Sequence, residues 1–160
     1  MMPRLYLSLI IAFVAFLAGC GLSDRERAVA HVNENIRTVE ASGQAVAEVI
    51  AQLPERELTR EDFDDLRGSL GVYLIGMDAL NAAMRSLGEH VQELREHVED
   101  TFRPSAEAAA GSCQAAIDAI DSEEASQEDY QRAITRIGQC LERYATAVSN
   151  VKAAHDRANL

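Results

Sequence analysis

A heptad repeat in the middle of the chain constrains the fold more than any other feature of the sequence. Apolar residues between positions 63 and 98 alternate three and four residues apart: Phe63, Leu66, Leu70, Tyr73, Met77, Leu80, Met84, Leu87, Val91, Leu94 and Val98. That spacing is typical of helices that pack along one apolar face against other helices. It recurs in 29–53 and 130–151 and, more weakly, in 106–120. We therefore expect four helices, near 24–52, 60–101, 105–121 and 127–157.

Local signals mark the ends of these helices. Three hydroxyl residues each stand three positions before a carboxylate, as in a capping box: Ser23 with Glu26, Thr59 with Asp62 and Ser126 with Asp129. Pro54 is expected to end the first helix. Pro104 is expected to end or kink the second, because proline lacks an N–H group and disfavours helical geometry at the preceding residue. A kink at Pro104 would give three helices, whereas a break at Gly68 to Gly71 would add one.

The residues that flank the heptad positions favour a bundle over a two-stranded coiled coil. Ser69, Gly76 and Ala83 in the second helix, and Ala147 and Ala154 in the last, are small. Coiled-coil dimers usually carry Glu and Lys there, whereas small flanks let several helices approach closely. Short connections near 53–59 and 122–126 favour up-and-down connectivity. The sequence therefore predicts an all-α fold, an antiparallel up-and-down helical bundle formed by one domain at 20–160.

The first twenty residues read as an export signal. Arg4 supplies a small positive region, and 5–16 is mainly apolar but too short to cross a bilayer, which needs about 20 apolar residues. The run closes on Leu17-Ala18-Gly19-Cys20, which resembles the lipobox of bacterial lipoproteins. The resemblance implies a signal peptide at 1–19, cleavage before Cys20 and lipidation of the Cys20 thiol with fatty acyl chains such as palmitate. It covers only these residues, and no family is recognised for the remaining chain.

The same resemblance predicts a place in the cell. A lipid-anchored chain belongs to the cell envelope, and Gly21 in place of an aspartate favours the outer membrane, facing the periplasm, if the organism is Gram-negative. The chain carries 26 Asp and Glu against 15 Lys and Arg, a formal net charge of −11. Nucleic-acid binding depends on basic patches, so no nucleic-acid partner is expected. The expected partners are the membrane, through the lipid anchor, and an envelope protein or a second copy of the chain.

Cys113 and Cys140 are the remaining cysteines, and export would place them where thiols can be oxidised. A hairpin through 122–126 would bring their helices side by side, although counting back from the turn leaves an axial offset of about 6 Å. Because a disulfide requires its Cα atoms within about 4.4–6.8 Å of each other, that offset is marginal. We predict a structural bridge between Cys113 and Cys140; two buried thiols or an intermolecular bond are the alternatives.

Residues that could carry chemistry are scarce. His90, Glu93 and His97 could share one side of the second helix and hold a transition metal, but the Glu-x-x-His pairs of di-metal bundles are absent. We therefore expect no metal and treat this set as a weak alternative. The sequence also lacks a haem motif and a glycine-rich phosphate loop, so no cofactor is expected. No serine, threonine or cysteine lies in a catalytic motif, and the sequence predicts that the protein is not an enzyme.

The segment 70–77 is apolar on every side, which places Val72 and Ile75 where a simple bundle would expose them. Either another helix of the same chain covers these two residues, or they mark contact with a partner or a second copy, since exposed apolar patches usually bind. The favoured function is therefore a structural or interaction lipoprotein. The alternative is a periplasmic binding module for a metal or a small apolar ligand held in the bundle, with the Met77 and Met84 column contributing.

Overall fold

The computed structural model describes residues 22–158, and in that range the chain is helical apart from short connections. Five α-helices form: α1 Asp24–Ala51, α2 Asp64–His90, α3 Gln92–Glu96, α4 Arg103–Asp121 and α5 Gln127–Ala158. A 3₁₀ turn at Arg60–Phe63 precedes α2, and a π turn at His97–Phe102 joins α3 to α4. No strand occurs within 22–158, and the predicted all-α helical bundle is confirmed. Its antiparallel up-and-down course stays a prediction.

The predicted start signals form the expected hydrogen bonds. At α1 the Ser23 N–H donates to Glu26 Oε2 (2.8 Å) while the Glu26 N–H donates to Ser23 Oγ (3.2 Å). The same reciprocal pair joins Ser126 and Asp129 at α5. Ahead of α2, the Thr59 N–H and hydroxyl both donate to Asp62 Oδ2. The first N–H groups of a helical segment have no acceptor within the helix. Each of these carboxylates accepts a hydrogen bond from one such N–H group.

The predicted boundary between the helices at 60–101 and 105–121 is wrong. The chain leaves helical geometry at Val91, where φ is −125° and ψ is 88°, and not at Pro104. Gly88 lies against the residues that follow the break, because a Cβ built on it would be in ordinary contact, at 3.6 Å, with Arg95 Cα and Val98 Cβ. The Arg95 Nε–H donates to the Gly88 carbonyl oxygen across the break. Folding back at Val91 buries Leu94 and Val98 against the bundle.

Pro104 neither ends a helix nor separates two of them. It lies near the start of α4, directly after the π turn, inside helical structure that runs without interruption from Gln92 to Asp121. Proline has no backbone N–H to donate, and its ring crowds the carbonyl group four residues earlier. The wider π turn directly before α4 accommodates both effects. The expected kinked three-helix arrangement is therefore not observed, and the Gly68 to Gly71 segment stays helical within α2.

The heptad positions of α2 form the centre of the core. Leu66, Leu70, Met77, Leu80 and Met84 are almost completely buried. α1 packs closely along α2, and α4 packs closely along α5. The Tyr144 ring of α5 lies 6.3 Å from that of Tyr73 on α2 and 6.0 Å from that of Phe102 in the π turn. The bundle thus contains two tight helix pairs, and the Tyr73–Tyr144 contact is one of the links between them.

Polar contacts fix the end of the bundle that holds the loops. The Leu58 N–H donates to Gln127 Oε1 (2.9 Å), and the Gln127 amide donates back to the Leu58 carbonyl oxygen. Arg67 of α2 pairs with Asp121 at the end of α4 and with Asp64. These contacts tie the connection before α2 to the hairpin between α4 and α5.

Candidate functional site

α2 carries a second apolar stripe that faces outward. Val72 is 59% exposed and Ile75 is 71% exposed, so the expectation that another helix of the chain covers them is wrong within residues 22–158. Gly68, Ala79 and Ala82 are exposed as well. These five residues, spaced four, three, four and three apart, are called the outer stripe below. It repeats the spacing of the buried face, and each of its members is uncharged.

An apolar groove runs between α1 and α5, which meet only loosely. Ile36, Val39 and Leu141 line its walls, and Tyr73 and Leu80 lie at its floor. Small residues leave the space open: Gly43 and Ala47 on α1 and Ala145 on α5. The groove has a volume of about 560 Å³. This size lies within the range of small-molecule sites. We call it the α1/α5 groove.

The two tyrosine side chains that line the groove are largely removed from water, and this changes their pKa values. Burial raises the pKa of Tyr73 to about 12. Burial also raises the pKa of Tyr144, which lines the same groove, well above its usual value, and the nearby Tyr73 and Asp78 add to the shift. Desolvation disfavours the charged phenolate, so both rings stay neutral at physiological pH. An occupant of the groove would therefore meet an uncharged floor.

Charged groups line only the rim of the α1/α5 groove. Glu40 of α1 and Glu142 of α5 contribute carboxylates, and Lys152 of α5 contributes an ammonium. Lys152 is the one lysine in the sequence. It also borders a second cavity of about 220 Å³. Ile36 lines both cavities, and the second one also extends to Val29 and Val32. The groove therefore continues beyond Lys152 towards the start of α1.

The disulfide between Cys113 of α4 and Cys140 of α5 is confirmed, with its Cα atoms 5.7 Å apart. Both cysteines are fully buried. The Cα separation lies inside the range that a disulfide requires, so the axial offset inferred from the sequence does not prevent the bond. The bridge locks the α4/α5 helix pair, whereas the α1/α2 pair carries no disulfide in the described chain.

His90, Glu93 and His97 do not form a metal site. The break at Val91 separates His90, the last residue of α2, from Glu93 in α3 and His97 in the π turn. Across residues 22–158, no three His, Cys, Asp or Glu side chains lie close enough together to hold a metal ion. The His97 Nε2 atom is buried without a hydrogen-bond partner. Met77 and Met84 fill the core, and Met84 also borders the second cavity.

Cys20 and the predicted signal peptide lie outside the described residues. None of the described helices is long and apolar enough to cross a membrane. Comparisons with protein-family models, with curated proteins and with solved structures gave no match to this chain.

The α1/α5 groove is a feature that the sequence pattern did not reveal. The residues that line it on α1 and on α5 are more than ninety positions apart in sequence. The distance between the two walls depends on how α1 packs on α2 and how α5 packs on α4. One signal was present: Gly43 replaces the large apolar residue expected in the heptad spacing of α1. A Cβ at this position would lie 3.2 Å from Tyr73 Cε2, so the glycine admits the aromatic ring that forms the floor.

Proposed function

We propose that this chain is a lipid-anchored protein of the cell envelope that works by contact with another protein. The observation that carries this proposal is the outer stripe of α2, where Val72 and Ile75 remain exposed. Two large apolar side chains flanked by small residues suit the packing of a further helix, supplied by an envelope protein or by a second copy of the chain. No catalytic step, cofactor or nucleic acid is part of this proposal.

The membrane part of the proposal rests on Leu17 to Cys20, which resembles a lipobox. Lipidation of Cys20 with two or three acyl chains would anchor the protein stably, at about 0.8 kcal/mol for each buried CH₂ group. The outer membrane, facing the periplasm, is the proposed site in a Gram-negative cell. Replacing Cys20 by serine should move the protein out of the membrane fraction. Membrane retention of Cys20→Ser, together with an unmodified cysteine in the wild type, would contradict the anchor.

Photo-cross-linking in cells tests the contact surface. A photoreactive amino acid at Val72 of the full-length chain should give a discrete product with a second copy or with one envelope protein. The matched control carries the same probe at Ala115, an exposed position of α4 away from the stripe. Ile75→Glu should remove the Val72 product without loss of helicity, because a charge would be buried in the contact. Equal products at Val72 and Ala115 would contradict a docking role for the stripe.

A second candidate function, a binding module for a small apolar ligand, is supported by the α1/α5 groove. The groove has an apolar floor and a volume suited to a small molecule. This candidate concerns helices α1 and α5, whereas the docking proposal concerns the outward face of α2. The two can therefore be tested separately.

A further inference from the structure

The α1/α5 groove is long and narrow. Its larger cavity follows α1 from Ile36 to Ala47, which is roughly 16 Å at about 1.5 Å per residue. The hydrocarbon core of a bilayer is about 30 Å thick, so one acyl chain of a leaflet extends about 15 Å. The groove therefore matches the length of a single acyl chain.

The lining of the groove matches an acyl chain in chemistry as well. Aliphatic residues form the walls, among them Ile36, Val39, Leu141 and Val148, while Gly43 and Ala145 leave room between them. No charged side chain lies at its floor, where Tyr73 and Leu80 are almost completely buried. A flexible hydrocarbon can bury its surface there without leaving a polar group unsatisfied.

The rim of the groove favours one position for a negative headgroup. Lys152 supplies the cation that lines the larger cavity, and no ion pair of its ammonium is found in the described chain. Glu40 and Glu142 place negative charge elsewhere on the rim, which disfavours an anion beside them. A carboxylate headgroup is therefore best placed next to Lys152.

We propose that the α1/α5 groove binds one fatty acid, with its hydrocarbon chain between α1 and α5 and its carboxylate paired with Lys152. This assignment rests on the ligand-binding candidate function proposed for the groove and not on the outer stripe, so loss of cross-linking at Val72 would leave it intact. The ligand would be held noncovalently, as a free amphiphile, and no bond is made or broken.

A photoreactive fatty acid identifies the site directly. The full-length chain is placed in lipid nanodiscs with hexadecanoic acid that carries a diazirine group, and cross-linked peptides are mapped by mass spectrometry. We expect labelling concentrated on the α1 and α5 segments that line the groove. Ala145→Leu should suppress that labelling, because its side chain fills the groove. Ala153→Leu, at an exposed position of α5 outside the lining, should leave it unchanged.

A second pair of variants keeps the test valid if the Ala145→Leu variant fails to fold. Ala47→Leu narrows the groove from the α1 side, and Ala41→Leu changes an exposed residue of the same helix outside the lining. Labelling that persists in both filled variants, or that spreads evenly over the bundle, would overturn the proposal. Each variant is included only if it retains helicity and the Cys113–Cys140 bridge.

The headgroup assignment is tested with the matching fatty alcohol. The acid should label the wild-type groove about two- to fivefold more efficiently than the alcohol, as expected for an exposed ion pair. Lys152→Gln should remove that difference while leaving alcohol labelling unchanged. Equal labelling by acid and alcohol in the wild type would overturn the pairing with Lys152.

Discussion

The Tyr144 hydroxyl lies 2.8 Å from Asn81 Oδ1 and 3.0 Å from the Met77 carbonyl oxygen, and it donates to this pair of acceptors from across the bundle. Tyr144 belongs to α5 and both acceptors belong to α2. The contact is therefore a polar link between two helices whose backbones do not pack closely.

Removing the Tyr144 hydroxyl should lower the stability of the bundle without unfolding it. We expect Tyr144→Phe to lower the free energy of unfolding by about 1 kcal/mol, the net value of a typical buried hydrogen bond. Urea denaturation measures the change. Tyr130→Phe is the matched control, because Tyr130 packs through its ring on Phe63. An equal loss in both variants would show that the Tyr144 hydrogen bonds make no special contribution.

Reduction of the Cys113–Cys140 bridge should destabilise the protein substantially. The two cysteines are 27 positions apart in sequence, and closing a loop of that size stabilises a fold by about 3 kcal/mol. Thermal unfolding with and without a reductant measures the loss. In a Cys113→Ala, Cys140→Ala variant the reductant should have no effect. Alkylation of both thiols in the unreduced, denatured wild-type protein would contradict the bridge.

The three capping carboxylates should make the bundle sensitive to acid. Hydrogen bonds from the Ser23 backbone and hydroxyl lower the pKa of Glu26 from its ordinary 4.5. The Thr59 backbone N–H, with further donors, lowers the pKa of Asp62, and the Ser126 hydroxyl and backbone lower that of Asp129, both from 3.8. A lowered folded-state pKa means that the stabilisation is complete above the ordinary pKa and is lost as pH falls through the lowered value.

Melting temperatures between pH 6 and pH 2 test this acid dependence. We expect a fall that begins below about pH 4.5 and that is reduced when the three carboxylates are replaced by amides, in Glu26→Gln, Asp62→Asn and Asp129→Asn. Glu93→Gln changes an exposed carboxylate outside these caps and serves as the control. If the melting temperature of the triple variant falls in acid by as much as that of the wild type, the capping hydrogen bonds are not the cause of the acid sensitivity.

Two helical glycines should respond oppositely to alanine. Gly138 of α5 has open space where a Cβ would lie, so Gly138→Ala should stabilise the protein by about 0.5–1 kcal/mol. Gly43 of α1 has the Tyr73 ring only 3.2 Å from that point. The Tyr73 ring must shift in Gly43→Ala, which should cancel the gain. Denaturant midpoints of both variants give the comparison, and equal stabilisation would show that the ring moves freely.

Features fixed by neighbouring residues could be predicted from the sequence. Ser23 with Glu26 and Ser126 with Asp129 mark helix starts because all the atoms of each cap lie within four residues. The disulfide was predictable because one short hairpin sets the relative position of Cys113 and Cys140. Helical spacing placed Val72 and Ile75 away from the buried face of α2, but it did not show whether another helix covers them. Within residues 22–158 no helix does.

The break at Val91 could not be predicted from local pattern. Val91 continues the heptad spacing and its side chain is buried, as the spacing requires, although its backbone is not helical. The break brings Gly88 against Arg95 and Val98, seven and ten positions later, and such contacts are not visible in the spacing of one helix. The α1/α5 groove depends in the same way on distances between helices, which a single helix does not encode.

The disulfide cross-links one of the two helix pairs, and the described α1/α2 pair has no such bond. α5 is covalently fastened to α4, whereas α1 is held to α5 only by loose packing along the groove. α1 begins at Asp24, four positions after Cys20. If Cys20 carries the anchor, a pull on the bundle away from the membrane would load α1 first. Close packing on α2 would pass that load into the bundle, and the loosely packed boundary between α1 and α5 would resist it least.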